Sequence, residues 1–121
     1  MDEADRDKAL EDDLREVRRL ISLLTRRKGS RIVPRSPEMP CRWVPMTVTN
    51  PEVDMPFDDI SAWHKIADLA EEGCPLQEVT LEQPKGEKAY VMIVQLDPAL
   101  PNLYIKVQVK GQYIFGSCLF R

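Results

Sequence analysis

The sequence has few of the features that mark membrane, secreted and metal-binding proteins. None of its 121 residues belong to an apolar run near the length of a membrane span, and the chain opens on charged residues instead of a leader peptide. The three cysteines, Cys41, Cys74 and Cys118, lie far apart and form no CxxC pair. This spacing predicts reduced thiols, with neither a disulfide framework nor a zinc site. We therefore expect a soluble, cytoplasmic protein that makes no contact with a membrane.

Motifs of the common enzyme classes are also missing. The sequence contains no G-x-S-x-G, no P-loop and no G-x-G-x-x-G. His64 is the one histidine, and no cysteine lies near it in sequence, so a metal site is not expected. These absences argue against the classical cofactor-dependent enzymes, and we expect neither a cofactor nor a metal.

Charge is unevenly distributed although the net charge is only −3. Residues 2–13 are mostly acidic, residues 15–42 are basic, and residues 52–87 are acidic again. An acidic overall balance argues against a dedicated DNA-coating protein, but the local basic stretch can still contact phosphate.

The N-terminal segment, residues 1–29, has the pattern of a charged amphipathic helix. Apolar residues recur over 2–28 at spacings of 4, 3, 4 and 3, with no glycine or proline between them. They are Leu10, Leu14, Val17, Ile21 and Leu24. A seam this short can pack on its own domain, pair with a second copy or bind another protein. These five residues are the candidate partner-binding set.

The remainder predicts an arm followed by an α+β core. Residues 30–56 carry six prolines and predict an extended arm, whose apolar middle (43–48) we expect to lie against the domain. Over 57–121, a helix capped by an aspartate and ending at Gly73 precedes four period-2 segments, 78–82, 88–96, 103–109 and 112–120. Short turns join these segments. The predicted fold is one helix packed on a four-stranded antiparallel β-meander.

The last hairpin predicts two contrasting sheet faces. A two-residue turn at Lys110-Gly111 would place Val109 opposite Gln112 and fix the register. One face would then hold Leu103, Ile105 and Val107 with Cys118, Gly116 and Ile114. The other would hold Tyr104, Lys106 and Gln108 opposite Ser117, Phe115 and Tyr113. This second face has the chemistry of an RNA-binding surface, because rings stack on bases and lysines contact phosphate, but an ordinary solvated sheet face has the same pattern.

The C-terminal two-thirds of the chain resembles a family of bacterial toxins. The residues concerned are Ala62-Trp63 through Gly73, the stretch 83–92 that begins Gln83-Pro84-Lys85-Gly86, and strand 103–109 with its Tyr-x-Lys. These patterns are similar to toxins of the MqsR type, within the RelE-like group of mRNA-cleaving components of toxin–antitoxin systems. The resemblance covers roughly residues 43–121 and implies a RelE-like fold.

This resemblance implies a metal-independent endoribonuclease, in which the RNA 2′-hydroxyl attacks its own phosphate. Such chemistry needs proton-transfer groups and cations that offset the charge of the phosphorane. The expected catalytic set is Tyr104, Lys88 and Lys106, and the expected RNA-binding set is Lys85, Gln108, Tyr113 and Arg121. The last strand lacks the lysine or histidine that relatives carry after a Ser-Phe pair, so the basic catalytic position is atypical.

Two functions stay open at this point. The first is a toxin-like ribonuclease with an antitoxin-like protein as its partner and mRNA, free or on the ribosome, as its target. The second is a non-catalytic interaction module that keeps the toxin fold and binds a partner through the N-terminal helix or a sheet edge. A homodimer through that helix is a further expectation.

Overall fold

A computed structural model describes residues 2–34, 42–82 and 85–120. It has two α-helices, α1 (Glu3–Thr25) and α2 (Asp59–Glu71), and two short 3-10 helices, Lys28–Ser30 and Pro45–Thr47. The strands are β1 (Arg31–Ile32), β2 (Arg42–Trp43), β3 (Thr49–Asn50), β4 (Met55–Pro56), β5 (Gln77–Thr80), β6 (Lys88–Val94), β7 (Leu103–Lys110) and β8 (Tyr113–Phe120). The predicted α+β class is confirmed.

Helix α1 is part of the core. The Asp2 side chain caps its first turn by accepting a hydrogen bond from the Asp5 backbone N–H at 2.9 Å. Toward the other end Ile21 and Leu24 are buried, and the apolar stripe continues through partly buried residues that pack on the same cluster. The seam therefore packs on its own domain, which is the first of the three arrangements that its sequence allows.

Helix α2 has well-defined ends. Asp58 and Ser61 form a reciprocal capping box at its start, and Gly73 adopts a positive φ of 81° just past its end. The spacing of Trp63 and Ile66 places both on the buried face of the helix. These are the start and end that the sequence predicts.

The main sheet is mixed. Strands β5 to β8 form the predicted antiparallel meander, in the order β8-β7-β6-β5. Strands β1 and β2 come from the predicted arm, and both pair in parallel with β8, so the sheet has six strands. A separate small sheet joins β3 and β4. The two parallel additions were not predicted, because a two-residue strand is too short to show a period.

A single hydrophobic cluster joins the helices, the arm and the sheet. It includes Ile21 of α1, Trp43 of the arm, Ile66 of α2, and Ile105 and Val107 of β7. The apolar middle of the arm lies against the domain through Trp43 and Val48, which are buried, whereas Val44 and Met46 are exposed. No helix within the described ranges is long and apolar enough to cross a membrane.

Candidate functional site

One face of the sheet lies opposite the helices, and we call it the open face. Residues alternate between faces along a strand, and Ile105 and Val107 point into the core. Tyr104, Lys106 and their even-numbered neighbours on β7 therefore lie on the open face. The antiparallel partners of Tyr104 and Lys106 on this face are Phe120 and Cys118. The expected tyrosine and lysine of the Tyr-x-Lys pattern are thus brought together.

An aromatic pair forms the centre of this face. The rings of Tyr104 and Phe120 lie with their centroids 5.1 Å apart and their planes tilted by 34°. The guanidinium carbon of Arg42 lies 4.4 Å from the Phe120 centroid, in cation–π geometry. On the other side Ile93 of β6 is the direct partner of Tyr104 and is 58% exposed. With Lys106, these residues form what we call the aromatic patch: Arg42, Ile93, Tyr104, Lys106 and Phe120.

The patch carries positive charge. Within the described residues, neither Arg42 nor Lys106 forms an ion pair with a carboxylate. A cation without a carboxylate partner leaves its charge available to a bound anion such as phosphate. The patch therefore combines two aromatic rings with two cationic side chains on one surface.

The β7–β8 register differs from the prediction and explains how Phe120 reaches Tyr104. The turn is one residue further along, so that Lys110 pairs with Tyr113, and Gly111 takes a φ of 59°. The pairing then shifts once more between Lys106 and Val107, where a β-bulge leaves Ser117 without a direct partner. The expected pairing of Tyr104 with Ser117 was therefore wrong.

The same shift moves Cys118 to the other face. It was expected among the core-facing residues, but it pairs with Lys106 on the open face, where it is nevertheless buried. Arg42 is the parallel partner of Cys118 on β2, which is how a residue of the arm enters the patch.

Lys88 lies on the opposite face from Tyr104. The β6–β7 register pairs Tyr90 with Val107, so the even-numbered residues of β6 share the core-side face. There Lys88 donates to Glu78 at 2.7 Å, which raises the pKa of the lysine. It is also about 17 Å along the strand from the partner of Tyr104, at roughly 3.3 Å per residue. The structure therefore does not bring Lys88 into one constellation with Tyr104 and Lys106.

The Lys88 side chain lines a separate cleft of about 290 Å³ beside α1. Tyr90 lies in the same cleft, and burial, followed by the charge of Glu78, raises the pKa of its phenol. Lys85, which was expected to contact RNA, is exposed in the turn before β6 and lies further still from Tyr104.

Gln108 has a structural role instead of forming a surface contact. It is on the open face but only 2% exposed, and its Nε2 donates to Glu87 Oε2 at 2.6 Å. Lys110 Nζ lies 2.7 Å from the same oxygen. The ammonium of Lys110, and then the amide of Gln108, lower the pKa of Glu87. The cluster holds the turn end of the sheet together.

The remaining expected contacts are divided. Tyr113 pairs with Lys110 at the turn end of the open face and is 49% exposed. Arg121 lies outside the described residues. Of the proposed partner-binding seam, Leu10 is 50% exposed, whereas the other four residues pack against the domain's own core. The seam is therefore not a free surface.

Metal ligands do not gather in the described part of the chain. No group of three or more histidine, cysteine, aspartate or glutamate residues there could hold a metal ion. His64 Nδ1 lies 3.4 Å from Arg26 Nη1 on the helical side of the molecule. Burial raises the pKa of the Cys74 thiol, which makes it a poor nucleophile.

Comparisons of the chain with protein-family models, with curated proteins and with solved structures find no match. The residues and their geometry are therefore the basis for any functional assignment.

Proposed function

We propose that this chain is a toxin-like protein that binds single-stranded RNA on the open face of its sheet and cleaves it as a metal-independent endoribonuclease. One observation carries the proposal. The paired rings of Tyr104 and Phe120 lie 5.1 Å apart on the open face, with Arg42 against one ring and Lys106 two residues from the other.

The patch suits unpaired nucleotides. Every base has an aromatic face that stacks on Phe or Tyr, and such stacking contributes about 1–3 kcal/mol per base by alanine substitution. Arg42 and Lys106 supply the cations that phosphates need, and Ile93 extends the apolar surface beside Tyr104. A duplex would present only its backbone to this face, so the patch favours single strands.

The proposed reaction is transfer of the phosphoryl group within the RNA. The 2′-hydroxyl attacks the adjacent phosphorus and the bond to the 5′-oxygen breaks, leaving a 2′,3′-cyclic phosphate and a 5′-hydroxyl. Tyr104 supplies the proton that the leaving oxygen requires, and Arg42 and Lys106 offset the charge of the phosphorane. In this proposal Arg42 has the role that the resemblance implies for Lys88.

The patch contains neither a carboxylate nor an imidazole. The 2′-hydroxyl proton therefore passes to solvent, and we expect cleavage to be slow relative to binding. An antitoxin-like protein would neutralise such an enzyme by covering the patch.

Binding and cleavage can be tested separately on a labelled single-stranded oligoribonucleotide. Tyr104→Phe keeps the ring and should keep RNA affinity while losing cleavage. Arg42→Gln should weaken binding because it removes a phosphate contact. Tyr90→Phe, on the opposite face of the sheet, and Lys8→Gln, on the exposed part of α1, are matched controls and should change neither. Wild-type cleavage rates in Tyr104→Phe would remove that residue from the mechanism.

Expression in a bacterial host extends the test. Growth arrest with loss of bulk mRNA in the wild type, and neither in Tyr104→Phe, would support the ribonuclease. Normal growth and intact mRNA in both would refute the toxin-like activity while leaving RNA binding to be decided by the affinity measurement.

A non-catalytic interaction module is the second candidate, and one observation favours it. Strand β5 is at the end of the sheet and pairs only with β6 among the described residues. Its outer edge can accept an added strand from a partner. Thr80→Pro removes a backbone N–H that points away from β6, because the neighbouring Leu81 N–H is the one that donates toward β6, to the Glu87 carbonyl oxygen. It should abolish binding of a partner that adds a strand here and leave RNA affinity unchanged.

A further inference from the structure

A groove of about 670 Å³ runs between α1 and the end of α2. The helices cover the core side of the sheet, so this groove lies away from the aromatic patch. Five arginines of α1 and its C-terminal end line it: Arg15, Arg18, Arg19, Arg26 and Arg27. Their spacings of three, four and seven residues keep the first four on one side of the helix.

Two of the five arginines hold the groove together. Arg26 contacts Asp68 and Glu71 of α2, each at 2.9 Å, and so ties the two helices to each other. Arg18 Nε donates to the Cys74 carbonyl oxygen at 3.1 Å, and its side chain is mostly covered. These two guanidiniums belong to the walls.

The other three guanidiniums are available to a ligand. Among the described residues, Arg15 and Arg19 pair with carboxylates one turn away on their own helix, Asp12 and Glu16, and all four side chains are well exposed. The single contact between Arg15 and Asp12 contributes little and exchanges readily with another carboxylate. Arg19 forms two hydrogen bonds with Glu16, at 2.9 and 2.6 Å, and a ligand carboxylate would replace Glu16 as its partner. Arg27 forms no ion pair with any residue of the described ranges.

An apolar residue lies among these charges. Leu23 lines the groove and is 38% exposed, and Ala70 of α2 also lines it. A surface that repeats positive charge around an exposed leucine is complementary to a peptide that repeats negative charge around an apolar side chain. Phosphates of a nucleic acid would satisfy the arginines but not the leucine.

We propose that this groove binds an acidic amphipathic helix of a partner protein. Arg15 and Arg19 are four residues apart, or about 6 Å along the axis of α1, and Arg27 lies just past the end of that helix. Carboxylates spaced by four residues on a helix lying alongside match the distance between Arg15 and Arg19, and Leu23 lies in sequence between Arg19 and Arg27 in the same groove. The surface is independent of the RNA proposal, because no residue of the aromatic patch contributes to it.

The test uses the full chain and a fluorescein-labelled helical peptide that carries glutamate at every fourth position with leucine between. A second peptide has glutamine in place of glutamate. We expect the glutamate peptide to bind at least about tenfold tighter, since each arginine gains a charged partner. Arg19→Glu and Leu23→Asp should each weaken its binding by about tenfold.

Arg6→Glu is the matched control, because Arg6 is an exposed arginine of α1 that does not line the groove. It changes the net charge as Arg19→Glu does, and it should change affinity by less than about twofold. Equal losses in these two variants, or equal affinity for the two peptides, would overturn the proposal. The proposal would also be overturned if single-stranded RNA displaced the peptide and if Leu23→Asp left the affinity for that RNA unchanged. Circular dichroism checks that each variant is folded.

Discussion

Substituting Gly116 by alanine tests how the arm is anchored to the sheet. Gly116 lies on β8 and faces the ring of Trp43, which the arm contributes to the core. A Cβ at position 116 would lie 2.6 Å from Trp43 Cζ3 and 2.8 Å from Cε3. Both distances are shorter than carbon atoms tolerate, so the ring or the strand must move.

The ring has little freedom to move. Trp43 is 3% exposed, its ring centroid lies 4.7 Å from that of Trp63, and its Nε1 donates to Asp59 Oδ1 at 3.0 Å. Overpacking a core of this kind costs about 1–3 kcal/mol. We therefore expect Gly116→Ala to lower the free energy of unfolding by an amount in that range.

Equilibrium unfolding in urea, followed by tryptophan fluorescence, measures this cost. Gly29→Ala is the matched control, since a Cβ there meets nothing within 4 Å. It should change the free energy of unfolding by less than about 0.5 kcal/mol.

A double-mutant cycle identifies the cause. Trp43→Phe removes the part of the indole that the new methyl group would strike. In that background Gly116→Ala should cost at least about 1 kcal/mol less than in the wild type, because contacting residues couple. If the two substitutions are additive, or if Gly116→Ala alone costs no more than the Gly29 control, the packing of the arm on β8 is refuted.

Three further predictions concern α1 and its contacts. Ile21→Ala should lower the free energy of unfolding by about 2–4 kcal/mol, because the Ile21 side chain is fully buried. Leu10 is half-exposed, so Leu10→Ala should lower it by less than about 0.5 kcal/mol. Urea titrations of the two variants measure the difference. Hydrogen bonds from Arg26, then Ser22, lower the pKa of Glu71 from 4.5 to about 2. A lowered pKa means that the ionised Glu71 stabilises the folded state, fully above pH 4.5 and no longer once the pH has fallen through about 2. Glu71→Gln should therefore make Tm decline less steeply between these two pH values. Arg26→Gln should make Tm decline less steeply over the same pH interval, because it removes the hydrogen bond that lowers the pKa of Glu71 most.

Much of the fold could be predicted from periodicity. Helix α2 and strands β6 to β8 each carry a full repeat of buried residues, and the observed bounds differ from the predicted ones by a few residues at most. The short strands β1 and β2 could not be found in this way. Two residues carry no alternation, and the pairing of β2 with β8 accompanies the anchoring of Trp43 in the core, which is a tertiary contact.

The candidate site was predicted only in part. Tyr104 and Lys106 share a face in any register because they are two residues apart. The pairing of Phe120 with Tyr104 was missed because glycine fits either central position of a two-residue turn. The prediction put Gly111 in the second position, whereas it occupies the first. The bulge at Ser117 then added a further shift. The position of Lys88 relative to Tyr104 stayed open, because a long connection separates β6 from β7 and the sequence alone does not fix which face of β6 accompanies Tyr104.

The alternation of β2 links the core to the aromatic patch. Trp43 pairs with Leu119 and enters the core, so its neighbour Arg42 must point to the opposite face, where it meets the ring of Phe120. The burial of one aromatic residue thus positions the cation of the proposed RNA site. Among the described residues, the buried Trp43 and the hydrogen bond from the Val44 N–H to the Leu119 carbonyl oxygen hold Arg42 in register. Changes that loosen Trp43 should therefore weaken the patch at a distance, without altering any residue that RNA would touch.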